Sequence, residues 1–201
     1  MPVRLDYKLI EQYVEPGARV LDLGCGDGAL LEELIREKGV DGFGIDKDVA
    51  EVQRCIARGV PVYHGDVLEA LEMFSDDTFG CVILSQTLQQ TQEPRRVVAE
   101  MMRVGRRGII SFPNFGHWRV RMQLLLGGRT PRTRVLPYTW YNTPNIRVLS
   151  VKDFVDFCHE EGLCIVDRLF LTPDYGRLPG VMANLLASVA MFVVEKDRRD
   201  G

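Results

Sequence analysis

Between positions 101 and 152 the sequence has no aspartate or glutamate, although the whole chain carries 28 of them against 25 lysines and arginines. The resulting net charge of −3 and the lack of lysine-rich runs argue against a nucleic-acid partner. The chain also lacks a C-x-x-C pair. Its five cysteines, Cys25, Cys55, Cys81, Cys158 and Cys164, are scattered and odd in number. That pattern excludes a zinc ribbon and a disulfide framework, predicts no metal site, and fits free thiols in a reducing cytoplasm. No apolar run reaches the length of a bilayer span. The longest, Val181 to Val194, is broken by Asn184 and Ser188, and the opening MPVRLDYKLI has no apolar signal core, so no membrane association is expected. Internal repeats and low-complexity stretches are missing as well.

What is present is ordinary globular composition, 46% hydrophobic and 26% charged. Over 201 residues this predicts one domain, residues 1–201, with enough core to fold without crosslinks. The first half alternates strand and helix signals. Strands are predicted at Arg19–Leu23, Gly42–Ile45, Val60–Tyr63, Cys81–Leu84 and Gly108–Phe112, and helices at Gly28–Lys38, Asp48–Arg58 and Glu93–Arg103. Ser150 caps a helix running to Glu161, and strands at Leu163–Leu169 and Val189–Glu195 follow. This rhythm predicts an α/β fold, Rossmann-like and doubly wound around a mostly parallel sheet.

The chemistry starts at Val20-Leu-Asp-Leu-Gly-Cys-Gly-Asp-Gly28. A strand runs into Gly24, Gly26 and Gly28, and a helix opens at once. Glycines permit the sharp turn and let a ligand approach main-chain N–H groups. Asp46, ending the next strand, is placed to accept both hydroxyls of an adenosine ribose. The string also satisfies a loose dinucleotide pattern, so two adenosine ligands compete. A dinucleotide brings a pyrophosphate to this loop, which Asp22 and Asp27 would repel. S-adenosylmethionine brings a sulfonium and an ammonium, which carboxylates attract. Asp66, after the third strand, adds an acid suited to an adenine amino group.

The spacing Asp22-x-Gly24-x-Gly26-x-Gly28, Asp46, Asp66 resembles class I S-adenosylmethionine-dependent methyltransferases. Three further strings make the chain similar to the MetW family of methionine biosynthesis: Ser85-Gln-Thr-Leu-Gln-Gln90, Phe112-Pro-Asn-Phe-Gly-His-Trp118 and Trp140-Tyr-Asn-Thr-Pro-Asn-Ile146. The resemblance implies an antiparallel last strand and S-adenosylmethionine or S-adenosylhomocysteine as ligand. It also implies homoserine O-acyltransferase as pathway partner. The candidate cofactor-binding set is Asp22, Gly24, Cys25, Gly26, Gly28, Asp46, Lys47, Asp66, Val67 and Ser85.

No catalytic residue is assigned. Many small-molecule methyltransferases of this fold carry a Glu-His pair after the fourth strand, where this chain has Gln89-Gln90. Glutamine accepts no proton near neutral pH, so Gln90→Glu is expected to have little effect. His117 reads as a solvent-facing loop residue or an acceptor-site group, Tyr141 and Asn142 as pocket or loop residues, and His64 and His159 as structural. Cys25 lacks a partner base and reads as packing. The acid-free segment holds ten cations and interleaves Trp118, Tyr138, Trp140 and Tyr141. Within it, residues 115–149 form the elaborated part, readable as a lid, a nucleic-acid surface, a solvated insertion or a protein interface. The family resemblance favours the interface.

Overall fold

The computed structural model describes residues 5–196. In chain order the elements are α1 (Leu5–Glu11), β1 (Arg19–Leu23), α2 (Ala29–Lys38), β2 (Asp41–Asp46), α3 (Val49–Ala57), β3 (Val62–His64), α4 (Val67–Leu71) and β4 (Phe79–Ser85). A 3-10 turn at Leu88–Gln90, α5 (Pro94–Val104), β5 (Gly105–Pro113) and α6 (Trp118–Gly127) follow. The chain then runs through α7 (Val151–Glu160), β6 (Leu163–Leu171), β7 (Arg177–Leu178), α8 (Ala183–Leu186) and β8 (Val189–Lys196).

The eight strands form one sheet in the order β3-β2-β1-β4-β5-β8-β6-β7. Strands β1 to β5 pair in parallel, and β8 inserts antiparallel between β5 and β6. The chain winds outward from β1 to β3, then returns to place β4 on the other side of β1. That reversal leaves a crevice at the C-terminal ends of β1 and β4, where ligands bind in open α/β sheets.

Period-two alternation divides the core. Leu21, Leu23, Val82, Leu84, Ile110 and Phe192 face α4, α5 and α7. Val20, Cys81, Ile83, Ile109 and Met191 face α1, α2 and α3. Helix boundaries follow local chemistry. Gly39, at φ 63°, ends α2, Asp48 caps α3, and Ser150 forms a reciprocal capping box with Asp153 on α7.

Several features go beyond the sequence pattern. Helix α1 buries Leu9 and Ile10 against α2 and the sheet, although its run is short. Helix α4 is one capped turn behind Asp66. Strand β5 starts at Gly105 rather than Gly108, since Arg107 finds an ion pair with Glu195 on the antiparallel neighbour β8. Helix α6 lies inside the elaborated segment, residues 115–149, where the sequence pattern predicts no helix.

Candidate functional site

The turn after β1 is built by backbone demands. Gly24, Gly26 and Gly28 all take left-handed φ, at 75°, 55° and 75°. A Cβ on Gly24 would lie 2.6 Å from Thr87 Oγ1, and one on Gly28 would lie 2.4 Å from Cys55 Sγ. Both positions therefore exclude side chains by crowding as well as by φ. At Gly26 the space is open. The Gly24 and Cys25 N–H groups both donate to the Ile45 carbonyl, at 2.8 and 3.0 Å, which seats the turn on the end of β2.

Asp46 closes this turn. Its Oδ2 accepts from the Gly26 N–H at 2.8 Å and its Oδ1 from the Asp48 N–H at 2.9 Å. The carboxylate is thus held in one orientation, half-buried, with lone pairs left for further donors.

A cavity of about 300 Å³ lies over the turn, lined by Asp22, Gly24, Cys25, Gly26, Asp27 and Ser85, with Tyr7, Leu30, Glu51, Arg54 and Gln86. Asp22 is 3% exposed and sits between Gly44 of β2 and Ile83 of β4. Burial, and then the Asp46 charge, push its carboxyl up to about 7. Burial also raises the Asp27 carboxyl, but the Arg58 guanidinium at 2.7 Å and the Ala29 N–H outweigh it and hold the group below its usual range. Glu51 pairs with Arg54 at 2.8 Å. Asp22 is the cavity acid with no ion pair among the described residues. Arg58 compensates the Asp27 charge, so of the two loop acids only Asp22 lacks a cationic partner among the described residues. A cationic ligand group in this cavity would stabilise the ionised Asp22 that burial opposes.

The other candidate residues are distributed around this centre. Gly28 faces α3 through Cys55. Cys25 packs 3.7 Å from Cys55 Sγ, and burial raises both thiols, so neither is a ready nucleophile. Ser85 Oγ lies 3.0 Å from Ser111 Oγ. Lys47 is exposed, and its carbonyl contacts the His64 ring at 3.2 Å. Asp66 caps α4 through the Leu68 N–H, and Val67 is the first residue of that helix. Lys47, Asp66 and Val67 stand at the ends of β2 and β3, outside the cavity lining.

Gln86 lines the cavity, although it is absent from the candidate set. It adopts φ 57° at the cavity wall, and a second cavity of about 360 Å³ shares it. The Gln86 carbonyl accepts from both Gln89 Nε2, at 2.7 Å, and Gln90 Nε2, at 2.9 Å. The two glutamines are thus braces for a strained turn. Tyr7 was missed because α1 is short. The apolar spacing of Leu9, Ile10 and Val14 was the available signal. His117 is buried rather than solvent-facing. Its Nδ1 accepts from the Arg119 N–H at 3.2 Å to cap α6, and burial together with the Arg119 charge lowers its pKa. His159 is exposed in the last turn of α7.

The profile described as "Methionine biosynthesis protein MetW" matches residues 4–194. The chain is 31% identical, over 98% of its length, to the "Bifunctional methionine biosynthesis protein MetXA/MetW" of Rhodopirellula baltica, of which it covers 33%. It is 35% identical over 53% of its length to the "Ubiquinone biosynthesis O-methyltransferase" of Hahella chejuensis, covering 46% of that protein. The chain thus spans half or less of the length of these two relatives. A SAM-dependent methyltransferase from Archaeoglobus fulgidus superposes with TM-score 0.72 at 15% identity, covering 96% of this chain and 93% of the other, which establishes the shared fold. With the match running through nearly the whole sheet and its switch-point turn, the chain belongs to the MetW family of methionine biosynthesis proteins.

Proposed function

We propose that this protein binds S-adenosylmethionine or S-adenosylhomocysteine at the β1/β4 switch point and acts with homoserine O-acyltransferase, as a regulatory or activating subunit, in cytoplasmic methionine synthesis. The observation that carries the ligand is the buried Asp22, without an ion pair among the described residues, beside a glycine turn locked to Asp46. Asp46 would take the ribose hydroxyls, the Gly24–Gly26 backbone would admit the amino-acid end, and Asp22 would meet its positive charge. When bound, S-adenosylmethionine supplies an activated methyl group. The turn beyond β4 offers glutamine amides committed to bracing Gln86, and no titrating base. That favours sensing over catalysis. The partner rests on the MetXA/MetW relative, whose two named parts share one chain. In this reading the described residues act as one cofactor-binding domain, with residues 115–149 elaborated on it.

A small-molecule methyltransferase is the second reading, supported by the cavity that adjoins the first through Gln86. Titration with S-adenosylmethionine, S-adenosylhomocysteine and NAD, followed by assays of cofactor consumption with and without the acyltransferase, separates the readings. The regulatory reading expects binding without consumption and a changed acyltransferase rate. Tighter binding of NAD would overturn the ligand assignment, and stoichiometric consumption with an acceptor would promote the enzyme.

A further inference from the structure

Helix α6 turns its apolar stripe away from the protein. Trp118, Met122, Leu125 and Leu126 stand at i, i+4, i+7 and i+8, the spacing of one helical face. All four are exposed, Leu125 by 77% and Leu126 by 76%. The helix buries Val120 alone. By contrast α5, of similar length, buries Val97, Val98, Met101, Met102 and Val104.

The stripe is held firmly. Gln123 clamps the returning chain with both ends of its amide, accepting from the Arg132 N–H at 2.7 Å and donating to the Arg132 carbonyl at 3.0 Å. His117 and Gly128 cap the two helix ends. A fixed helix loses little conformational entropy when something covers it.

Its surroundings are cationic. Arg119, Arg121 and Arg129 flank the stripe in a segment without acids, and none of the three has an ion pair among the described residues. The Arg119 guanidinium lies 5.3 Å from the Trp118 ring centroid. Tryptophan and arginine around an apolar centre are the residues that dominate protein interfaces.

We propose that the outward stripe of α6, rimmed by Arg119, Arg121 and Arg129, is the surface on which the acyltransferase docks, against an apolar face with an acidic border. The proposal rests on the partnership given under the proposed function. Charge selects this occupant. In a two-fold dimer the same patch would meet itself and set arginine against arginine, with no acid on the segment to relieve it. A lipid surface would have to attract a chain of net charge −3. The MetXA/MetW relative carries both named parts on one polypeptide, which holds such a surface and its partner at high effective concentration.

The test measures binding of the full chain to immobilised homoserine acyltransferase at several salt concentrations. Leu125→Glu is expected to raise Kd at least about tenfold. Arg119→Glu with Arg129→Glu is expected to slow association and flatten its salt dependence. Affinity for S-adenosylmethionine should stay within about threefold in both variants, since the changes lie on an exposed face. Leu125→Gln, with unaltered melting temperature, guards against misfolding and should weaken binding in the same direction. Equal binding by wild type and all variants would overturn the docking surface and leave the partnership standing. No binding by wild type would overturn the partnership and the surface together. Sedimentation of wild type as a dimer that Leu125→Glu dissociates, or flotation with phosphatidylglycerol vesicles that it abolishes, would assign the stripe to a second copy or to lipid instead.

Discussion

Two aspartates at the switch point obey opposite rules, Asp22 in the cavity lining and Asp46 behind the glycine turn. Asp46 is satisfied by two backbone N–H groups, whereas Asp22 is buried beside it and raised to about 7. Because the folded-state value of Asp22 lies above the unfolded carboxylate range, its contribution favours folding below that range and is lost as pH rises through about 7. Asp22→Asn should therefore raise the melting temperature of the ligand-free protein more at pH 8 than at pH 5, which paired thermal melts would read. The same substitution should weaken S-adenosylmethionine binding at pH 8. Asp46→Ala should cost about 1–3 kcal/mol of ligand affinity, a tenfold to hundredfold rise in Kd by calorimetry, since it strands ribose hydroxyls and the Gly26 N–H together. Equal affinity in the variant would remove Asp46 from the site.

At the scale of elements, the turn after β4 decides what Gln89 and Gln90 are for. Position alone suggested that Gln90→Glu would be silent. The hydrogen bonds correct that expectation: an ionised glutamate cannot donate to the Gln86 carbonyl and sets one acceptor against another. Gln90→Glu should destabilise the protein by about 1–2 kcal/mol at pH 7 and recover as the carboxyl protonates near pH 4, followed by denaturant unfolding at both values. A melting curve indifferent to pH would show that the brace is dispensable. The Gln89 carbonyl also accepts from the Ile146 and Arg147 N–H groups, both at 3.0 Å, so the turn anchors the far end of the elaborated segment. Arg147 itself reaches the Gln92 carbonyl.

Across the whole molecule these anchors join the cofactor cavity to the surface that carries α6. Gln86 borders the first cavity, Gln89 grips residues 146–147, and Phe115 pairs with the Leu149 carbonyl at 3.0 Å where the segment leaves and rejoins the sheet. Ligand binding that tightens Gln86 should therefore slow amide hydrogen exchange at Ile146 and Arg147, although neither lines the first cavity. Unchanged exchange at both amides on saturation with S-adenosylmethionine would uncouple the segment from the site.

The alternating fold was legible in the sequence because the central strands β1, β4 and β5 carry apolar runs and several helices carry their own punctuation, such as Gly39, Asp48 and Ser150. So was the glycine turn, since only glycine tolerates left-handed backbone beside Thr87 and Cys55. These features depend on neighbours close in the chain. The charge state of Asp22, the compensation of Asp27 by Arg58 and the bracing of Gln86 depend on groups brought together only by the folded sheet. The same holds for His117, which reads from the sequence as a solvent-facing loop residue or an acceptor-site group and which the packing of α6 buries as a cap. The stripe of α6 completes the contrast. Its helical spacing is written in Trp118, Met122, Leu125 and Leu126, but spacing defines a face without saying which way it points. Tertiary structure chose the direction, because Val120 and the Gln123 clamp fix the opposite side of the helix to the protein and leave the apolar side to water.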